Sequence, residues 1–114
     1  MVKSLDQTER KKINHESAEN AFMKVLVSEK EGWEDHVMRV VEVEEDGFTP
    51  RHKHPWPHIN YVVEGQGVIM IDGKDHLVKT GDYAFIPNDT LHQFKNRGKE
   101  TFKFICIVPK VGHQ

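Results

Sequence analysis

Three glycines, Gly65, Gly73 and Gly81, recur at intervals of eight residues, and this spacing constrains the fold more than any other feature of the sequence. Each follows a short run rich in Val, Ile or aromatic residues, as turns do in an antiparallel meander. Asp72-Gly73 is a strong type I′ hairpin signal, because both central residues of that turn need a positive φ. Five prolines interrupt long helices, and no window keeps a helical hydrophobic period. The sequence therefore predicts an all-β barrel or sandwich.

The length of 114 residues suits one domain and is too short for two. Residues 1–20 are polar and charged apart from isolated apolar residues such as Ile13, which predicts a flexible arm or a segment ordered only by a partner subunit. Residues 21–114 are expected to form the barrel domain. Strands are predicted over eight runs: 21–28, 36–44, 58–64, 67–72, 75–79, 82–86, 91–96 and 101–108.

Composition argues against several classes of partner. The formal net charge is -2, and Lys and Arg are scattered among 18 acidic residues, so no nucleic-acid-binding face is expected. No apolar run approaches the roughly 18 residues of a membrane span, and the N-terminus lacks the apolar core of a signal peptide. Cys106 is the single cysteine and cannot form an intrachain disulfide, which is typical of a reducing compartment. We expect a cytoplasmic protein without nucleic-acid or membrane partners.

Three histidines lie within seven residues of each other in the segment HKHPWPH, residues 52–58. Residues two apart point to the same side of an extended strand, so His52 and His54 can approach one ion together. Two prolines stiffen the turn that returns His58 to the next strand, and a meander can fold His92 back beside them. Imidazole is the commonest nitrogen ligand of transition metals. Surface histidines in a proline-rich loop are the alternative, but this set favours a metal site. The other four are interpreted as surface residues: His15, His36, His76 and His113.

Strand alternation places two polar side chains on otherwise apolar faces. Arg39 lies among the valines of residues 37–43, and His92 shares a face with Phe94. An inward arginine either binds the carboxylate of a substrate or pairs with an acid of the core. The sequence leaves both roles open.

The last predicted strand carries Phe104 and Cys106 on one face. Phe94 and Phe104 either line a cavity beside the metal or are ordinary core, since both strands lead toward the histidines and inward phenylalanines are common in barrels. A buried thiol is usually an inert small hydrophobe, so Cys106 is not interpreted as a nucleophile. The candidate substrate pocket comprises Arg39, Phe94, Phe104 and Cys106, with no catalytic residue beyond the metal site.

Two segments resemble the two sequence motifs of the cupin family. Residues 47–67, GFTPRHKHPWPHINYVVEGQG, hold a glycine, a His-x-His pair and a closing glycine. Residues 81–96, GDYAFIPNDTLHQFKN, hold glycine, proline, histidine and asparagine in the order of the second motif. The resemblance implies a single jelly-roll-like antiparallel β-barrel with a metal near its wider mouth. It implies the ligand set His52, His54, His58 and His92.

The chain departs from the usual cupin pattern in three places. His58 or Ile59 stands where a glutamate ligand is usual, and only His58 can coordinate a metal. The glycine before His52 is one residue nearer than in the commonest form. Asp89 replaces a glycine of the second motif, which is tolerable because Asp enters the left-handed region more readily than most residues. Four neutral imidazoles leave the full charge of a divalent ion, which strengthens its polarisation of bound oxygen ligands.

The chain resembles the small four-histidine cupins, which are associated with manganese and oxidative chemistry. That resemblance implies one divalent transition metal, manganese first, with iron, nickel, copper or zinc compatible with the same ligands. We expect an oxygen- or peroxide-dependent, dioxygenase-like oxidoreductase acting on a small organic molecule. Four ligands leave two positions of a six-coordinate ion open, and no general base is evident beside them. A non-catalytic ligand-binding or sensory barrel and a metal-dependent isomerase or lyase stay open as alternatives.

A homodimer is also expected. The face of the last strand that holds Lys103, Ile105 and Ile107 is opposite the inward face, and the polar arm lies beyond it. The cupin resemblance points the same way, so we predict sheet-to-sheet pairing through this face.

Overall fold

The computed structural model describes residues 1–113, and these are organised almost entirely as β-strands. The strands are β1 (Lys11–Lys12), β2 (Glu19–Val27), β3 (His36–Phe48), β4 (His58–Glu64), β5 (Gln66–Ile71), β6 (Lys74–Lys79), β7 (Tyr83–Ile86), β8 (His92–Lys95) and β9 (Phe102–Pro109). The helical segments are 3₁₀ turns at Leu5–Gln7, Glu29–Glu31 and Lys110–Gly112. Within the described residues none of them has the length or hydropathy that crossing a membrane requires. The all-β prediction is confirmed, and each predicted run corresponds to one strand.

The strands pair in antiparallel fashion in the order β6-β5-β8-β3-β9-β4-β7, with β2 also along β3 and β1 along β2. The long strand β3 belongs to both halves of this sheet. Its residues 36–43 pair with β9, whereas Phe48 at its end pairs with Lys95 of β8. Because one strand serves both halves, the sheet curls around a shared interior. This is the antiparallel barrel architecture implied by the cupin resemblance.

The point where β3 changes partner is a place of close backbone approach. Asp46 has a φ of 59°, and a Cβ built on the following Gly47 would lie 2.7 Å from the carbonyl oxygens of Glu19 and Asn20. Real Cβ atoms do not approach a carbonyl oxygen so closely, so only glycine lets β2 lie against the bend. The bend allows β3 to continue four residues beyond the predicted end of its run.

The type I′ hairpin predicted at residues 72–73 is also observed. Asp72 has a φ of 52° and Gly73 a φ of 83°, so both central residues are in the left-handed region that this turn requires. The turn joins β5 to β6, and the two strands pair from Ile71 opposite Lys74 to Gln66 opposite Lys79. A two-residue connection therefore sets the register of one edge of the sheet.

The core fills the interior of the curled sheet. In β9 the side chains alternate as predicted, with Phe102, Phe104 and Cys106 buried. Between them lie the half-buried residues Lys103 and Ile105. The Phe104 ring stacks on the ring of Phe94 from β8, with centroids 4.2 Å apart, and so connects the two halves of the sheet. Aromatic pairs of this kind contribute packing beyond their buried area.

The structure differs from the expected flexible or partner-ordered arm. β1 pairs with β2 of the same chain, and the Arg10 guanidinium lies 2.9 Å from a carboxylate oxygen of Glu44 and 3.6 Å from the centre of the Phe22 ring. Ile13 packs against the core. The polar composition of residues 1–20 gives no sign of this packing, because ion pairs and the apolar residue Ile13 stabilise it and no hydrophobic face does. The division between an arm of residues 1–20 and a barrel domain stays a prediction.

Candidate metal centre

Four imidazole rings come together in the described structure, with His92 central among them. The centroid of its ring lies 5.0 Å from that of His52, 4.9 Å from that of His54 and 4.7 Å from that of His58. Ligand nitrogens of His52, His54 and His92 all lie within 4.8 Å of one another. The Nε2 atom of His58 lies 3.1 Å from the Nε2 atom of His92. The structure thus brings all four predicted rings together, but His58 is not in the group whose ligand atoms all lie within 4.8 Å of one another, and its place in the cluster depends on its contact with His92. The role of the four residues as ligands stays a proposal.

Two separate features of the sheet place these rings. His52 and His92 form an isolated antiparallel bridge, in which the His52 N–H donates to the His92 carbonyl at 3.2 Å and the His92 N–H donates back at 3.0 Å. His58 is the first residue of β4, and β3 and β9 lie between β4 and β8 in the sheet. Because two strands separate them, only the curl of the sheet brings His58 and His92 into contact.

The loop between His52 and β4 positions His54. Its Nδ1 lies 3.0 Å from the carbonyl oxygen of Trp56, and its ring stacks on the indole with centroids 4.5 Å apart. The backbone N–H of Asp89 donates to the His54 carbonyl at 2.7 Å, which joins this loop to the one before β8. Asp89 has a φ of 60°, so the predicted use of the left-handed region at this position is confirmed.

Hydrogen bonds at Nδ1 orient three of the four rings. The Nδ1 of His92 lies 2.8 Å from the Thr90 carbonyl oxygen, and the Nδ1 of His58 lies 2.8 Å from the side-chain oxygen of Asn60. Carbonyl oxygens only accept, so these Nδ1 atoms, like that of His54, carry the hydrogen and donate. The Nε2 atom of each ring then holds the free lone pair. This arrangement is typical of histidine ligands, whose second nitrogen is held by a carbonyl or carboxylate.

Asn60 is a site residue that the sequence analysis missed. It is fully buried, and its side-chain nitrogen donates to the carbonyl of Ile105 at 3.4 Å, which leaves its oxygen directed at His58. The sequence did contain an indication of this role. Residue 60 follows His58 by two positions, and alternation along β4 places both side chains on one face of the strand. Asn60 therefore sets the tautomer of His58 from within the strand.

The charge state of the cluster suits a cation. Burial, reinforced by the neighbouring His92, lowers the pKa of His58 to about 3. His52 is more exposed, and its partial burial beside the same neighbour lowers its pKa to about 4. Burial also lowers the pKa of His92. These rings are therefore neutral near pH 7 and able to donate lone pairs. The Nε2 atoms of His58 and His92 both carry lone pairs and lie 3.1 Å apart, which is unfavourable unless both bind one cation.

The same distance fits a coordinated transition metal. For a metal–nitrogen bond of about 2.1 Å, two ligand nitrogens at a right angle around the ion lie about 3.0 Å apart. The observed separation of the Nε2 atoms of His58 and His92 is 3.1 Å. Neutral imidazoles with fixed tautomers, converging at this spacing, are compatible with manganese, iron, nickel, copper or zinc.

The histidines face a cavity of about 380 Å³. All four residues predicted for the substrate pocket line it: Arg39, Phe94, Phe104 and Cys106. The remaining wall includes Met23 and Val41, so most of the surface is apolar. Both ends of the chain contribute as well, through Ile13 and Val111, which sequence reasoning did not anticipate. Neither residue carries a local signal, because each reaches the cavity only through tertiary packing.

The final 3₁₀ turn closes one side of this cavity. A Cβ built on Gly112 would overlap the indole nitrogen of Trp56, so the turn packs directly on that ring. The next residue, His113, was predicted to be a surface residue, but the structure shows it half-buried with its Nδ1 3.4 Å from Nη1 of Arg39. The other three histidines outside the cluster are exposed as predicted: His15, His36 and His76.

Comparison with known proteins agrees with the architecture. The sequence model of the cupin domain matches residues 39–108. An uncharacterized protein of Methanocaldococcus jannaschii is 35% identical over 68 residues, 58% of this chain and 54% of the relative. An oxalate-binding protein of Thermotoga maritima is 33% identical over 58 residues, 50% of this chain and 48% of the relative. The chain therefore spans about half the length of the curated relatives it matches.

A solved structure extends the similarity to nearly the whole chain. The polyketide cyclase RemF from Streptomyces resistomycificus superimposes with a TM-score of 0.88 at 26% sequence identity. The superposition covers 96% of this chain and 80% of the cyclase. The segments outside residues 39–108, including the N-terminal strands, thus have counterparts in a known fold.

Proposed function

The chain belongs to the cupin family, and from this membership we propose that it is a metal-dependent, dioxygenase-like oxidoreductase that uses oxygen or peroxide to oxidise a small organic molecule. The observation that carries the proposal is a cluster of four imidazoles without a carboxylate, beside an apolar cavity. A fully imidazole ligand set favours the lower oxidation state of a metal, from which reactions with oxygen or peroxide begin.

The proposed ligands are His52, His54, His58 and His92, with manganese as the expected metal. A bound transition metal would supply redox chemistry and polarise oxygen ligands. The protein's own contribution is orientation: Nδ1–H donors hold the rings of His54, His58 and His92 in place and leave their Nε2 lone pairs free for a metal. Four protein ligands on a six-coordinate ion leave two positions for small molecules.

The cavity wall supports oxidative over proton-transfer chemistry. Phe94 and Phe104 present stacked rings beside the histidines and make that side of the cavity apolar. Among the described residues that line the cavity there is no carboxylate, so none of them provides an acidic general base. An enzyme of this build would hold an apolar substrate close to the metal and rely on the metal for the chemistry.

The test is consumption of oxygen or hydrogen peroxide by protein loaded with manganese, iron or copper. We expect at least one metal form to consume the oxidant in the presence of an aromatic or unsaturated substrate from a defined panel. Metal-free protein is the matched control and should show no consumption. If no metal form consumes either oxidant or converts any panel compound, the oxidoreductase proposal is wrong.

A metal-dependent isomerase or lyase is the second candidate, supported by the similarity to a polyketide cyclase. A reaction of that class needs a Lewis acid and no oxidant, so it would proceed with redox-inert zinc under nitrogen. Conversion of a panel compound under those conditions would favour this candidate. Conversion that requires both oxygen or peroxide and a redox-active metal would favour the oxidoreductase.

We also propose a homodimer, on a face somewhat different from the one expected from sequence. Ile105 lies beside Leu5 and other N-terminal residues at the outer surface, so this part of the predicted face is already partly covered. The adjoining outer face of β4 and β7 is more open. Ile59 is 51% exposed and its cross-strand partner Phe85 is 60% exposed. Tyr61 and Tyr83 pair in the same way next to them.

Replacing Phe85 with lysine is expected to convert the dimer to a monomer at micromolar concentration, because a charge would be buried in an apolar contact. Sedimentation equilibrium gives the mass of each species. Phe85→Leu is the matched control, since it shortens the same exposed side chain without adding a charge and should stay dimeric. A monomeric wild type, or a Phe85→Lys variant that stays dimeric, would contradict this interface.

A further inference from the structure

Arg39 has an incomplete set of partners inside the cavity that the histidines face. Its Nη2 donates to the sulfur of Cys106 at 3.2 Å, and its Nη1 lies 3.4 Å from Nδ1 of His113. Its Nε is buried and has no hydrogen-bond partner among the described residues. A guanidinium carries five N–H donors, and a thiol sulfur is a weak acceptor. Most of the hydrogen-bonding capacity of Arg39 is therefore unused by residues 1–113.

The guanidinium also has no counterion in this part of the chain. Ion pairs within residues 1–113 involve other cations, such as Arg10 with Glu44 and Arg97 with Asp75, but none involves Arg39. A structural arginine of a protein core is normally paired with an acid, because an isolated buried charge is unfavourable. The structure thus removes, for the described residues, one of the two roles that the sequence left open.

Arg39 lies close to the histidine cluster, with only the side chain of Cys106 between them. The Cys106 sulfur, which accepts from Arg39, lies 3.9 Å from Nδ1 of His58, so one side chain separates the guanidinium from the cluster. Phe94 and Phe104 line the same cavity. One small molecule can therefore contact the guanidinium, the phenyl rings and the face of the histidine cluster together.

We propose that this cavity selects an amphipathic carboxylate: Arg39 binds the carboxylate, and Phe94 and Phe104 contact an apolar, aromatic-sized body. A carboxylate matches the planar fork of a guanidinium and supplies the negative charge that residues 1–113 do not place beside Arg39. The inference rests on the proposed function in one respect, since it takes the cavity as the substrate site. Arg39 is then a specificity-determining residue and not part of the metal site.

The test compares two probes of nearly the same shape, the anion 3-phenylpropanoate and the neutral 3-phenylpropanamide, by calorimetric titration of the zinc-loaded full chain. We expect the carboxylate to bind at least tenfold more tightly than the amide. In Arg39→Met this preference should fall to about one, and in Arg39→Lys it should be intermediate, because lysine keeps the charge and loses the fork. Arg97→Met is the matched control, since it removes the same charge on an exposed surface away from the cavity.

Each other outcome overturns part or all of the proposal. Equal affinity for both probes, or no binding of either, overturns it. A preference that persists in Arg39→Met shows that the metal and not Arg39 binds the carboxylate. If oxalate binds as tightly as 3-phenylpropanoate, the part of the proposal that assigns an apolar body to the ligand is wrong. Metal content and thermal unfolding are measured for every variant. Failure of the proposed function would be distinguishable from failure of this proposal. A charge preference that depends on Arg39, found without oxidant consumption by any metal form, would contradict the oxidoreductase and leave the carboxylate site supported.

Discussion

His58→Ala is expected to weaken metal binding by at least about 100-fold, because it removes a direct ligand, and loss of outer-sphere partners alone already costs about 10–100-fold. The Nε2 atom of His58 lies 3.1 Å from that of His92. Metal per chain after dialysis, measured by elemental analysis, gives the result directly. The thermal stabilisation by added manganese should fall in parallel, since binding to the folded state alone raises stability.

Two further variants sharpen this prediction. His76→Ala is the matched control, because His76 is exposed on β6 and outside the cluster, and it should retain the metal content of the wild type. His58→Glu should also retain metal, because it restores the carboxylate ligand usual at this cupin position. Stoichiometric metal in His58→Ala would show that His58 is not a ligand. The site would then consist of His52, His54 and His92, which form a sufficient group by distance.

Phe104→Ala is expected to destabilise the fold by about 3–5 kcal/mol, the usual cost of removing a buried phenyl ring. Phe104 is 1% exposed and packs on Phe94 and Phe102, with ring centroids 4.2 and 5.1 Å away. The ring joins β9 to β8 across the interior, so its removal leaves a cavity that neither half of the sheet can fill alone. Urea unfolding in the presence of a chelator measures the free energy without a contribution from metal.

Leu77→Ala is the control for this measurement. Leu77 is 86% exposed on β6, so its truncation should change the free energy of unfolding by less than about 0.5 kcal/mol. A Phe104→Ala variant within about 1 kcal/mol of the wild type would mean that the neighbouring rings collapse into the space. It would then identify the Phe94–Phe104 pair as an adaptable wall of the cavity and not as a rigid part of the core.

Much of the fold could be predicted because its signals are local. The Asp72-Gly73 turn and the alternation of β9 depend on residues close together in the chain, and both were observed as predicted. The pairing of His52 with His54 on one side of the cluster follows from a two-residue spacing in the same way. At Gly47, where the chain bends sharply, a single glycine does not show whether a strand ends or bends. The predicted run therefore stopped at residue 44, whereas β3 continues to Phe48.

The docking of the N-terminal residues could not be predicted from hydrophobic pattern. Arg10 contacts Glu44 and Phe22, and these partners lie 34 and 12 residues away in the chain. A polar segment with few apolar residues has the composition of a disordered one, and only the positions of its partners distinguish the two. The role of Arg39 was undecided for a similar reason, since an inward arginine has the same sequence pattern with or without an acid beside it.

By itself, the sequence determined the strands, their inward faces and the four histidines as a candidate set, because these depend on turn residues, alternation and short spacings. Only the tertiary structure decided that His58 meets His92 and that Arg39 lacks an acidic partner within residues 1–113. It also decided that Ile13 and Val111 line the cavity. Each of these depends on the distance between residues remote in the chain, and that distance is set by how far the sheet curls.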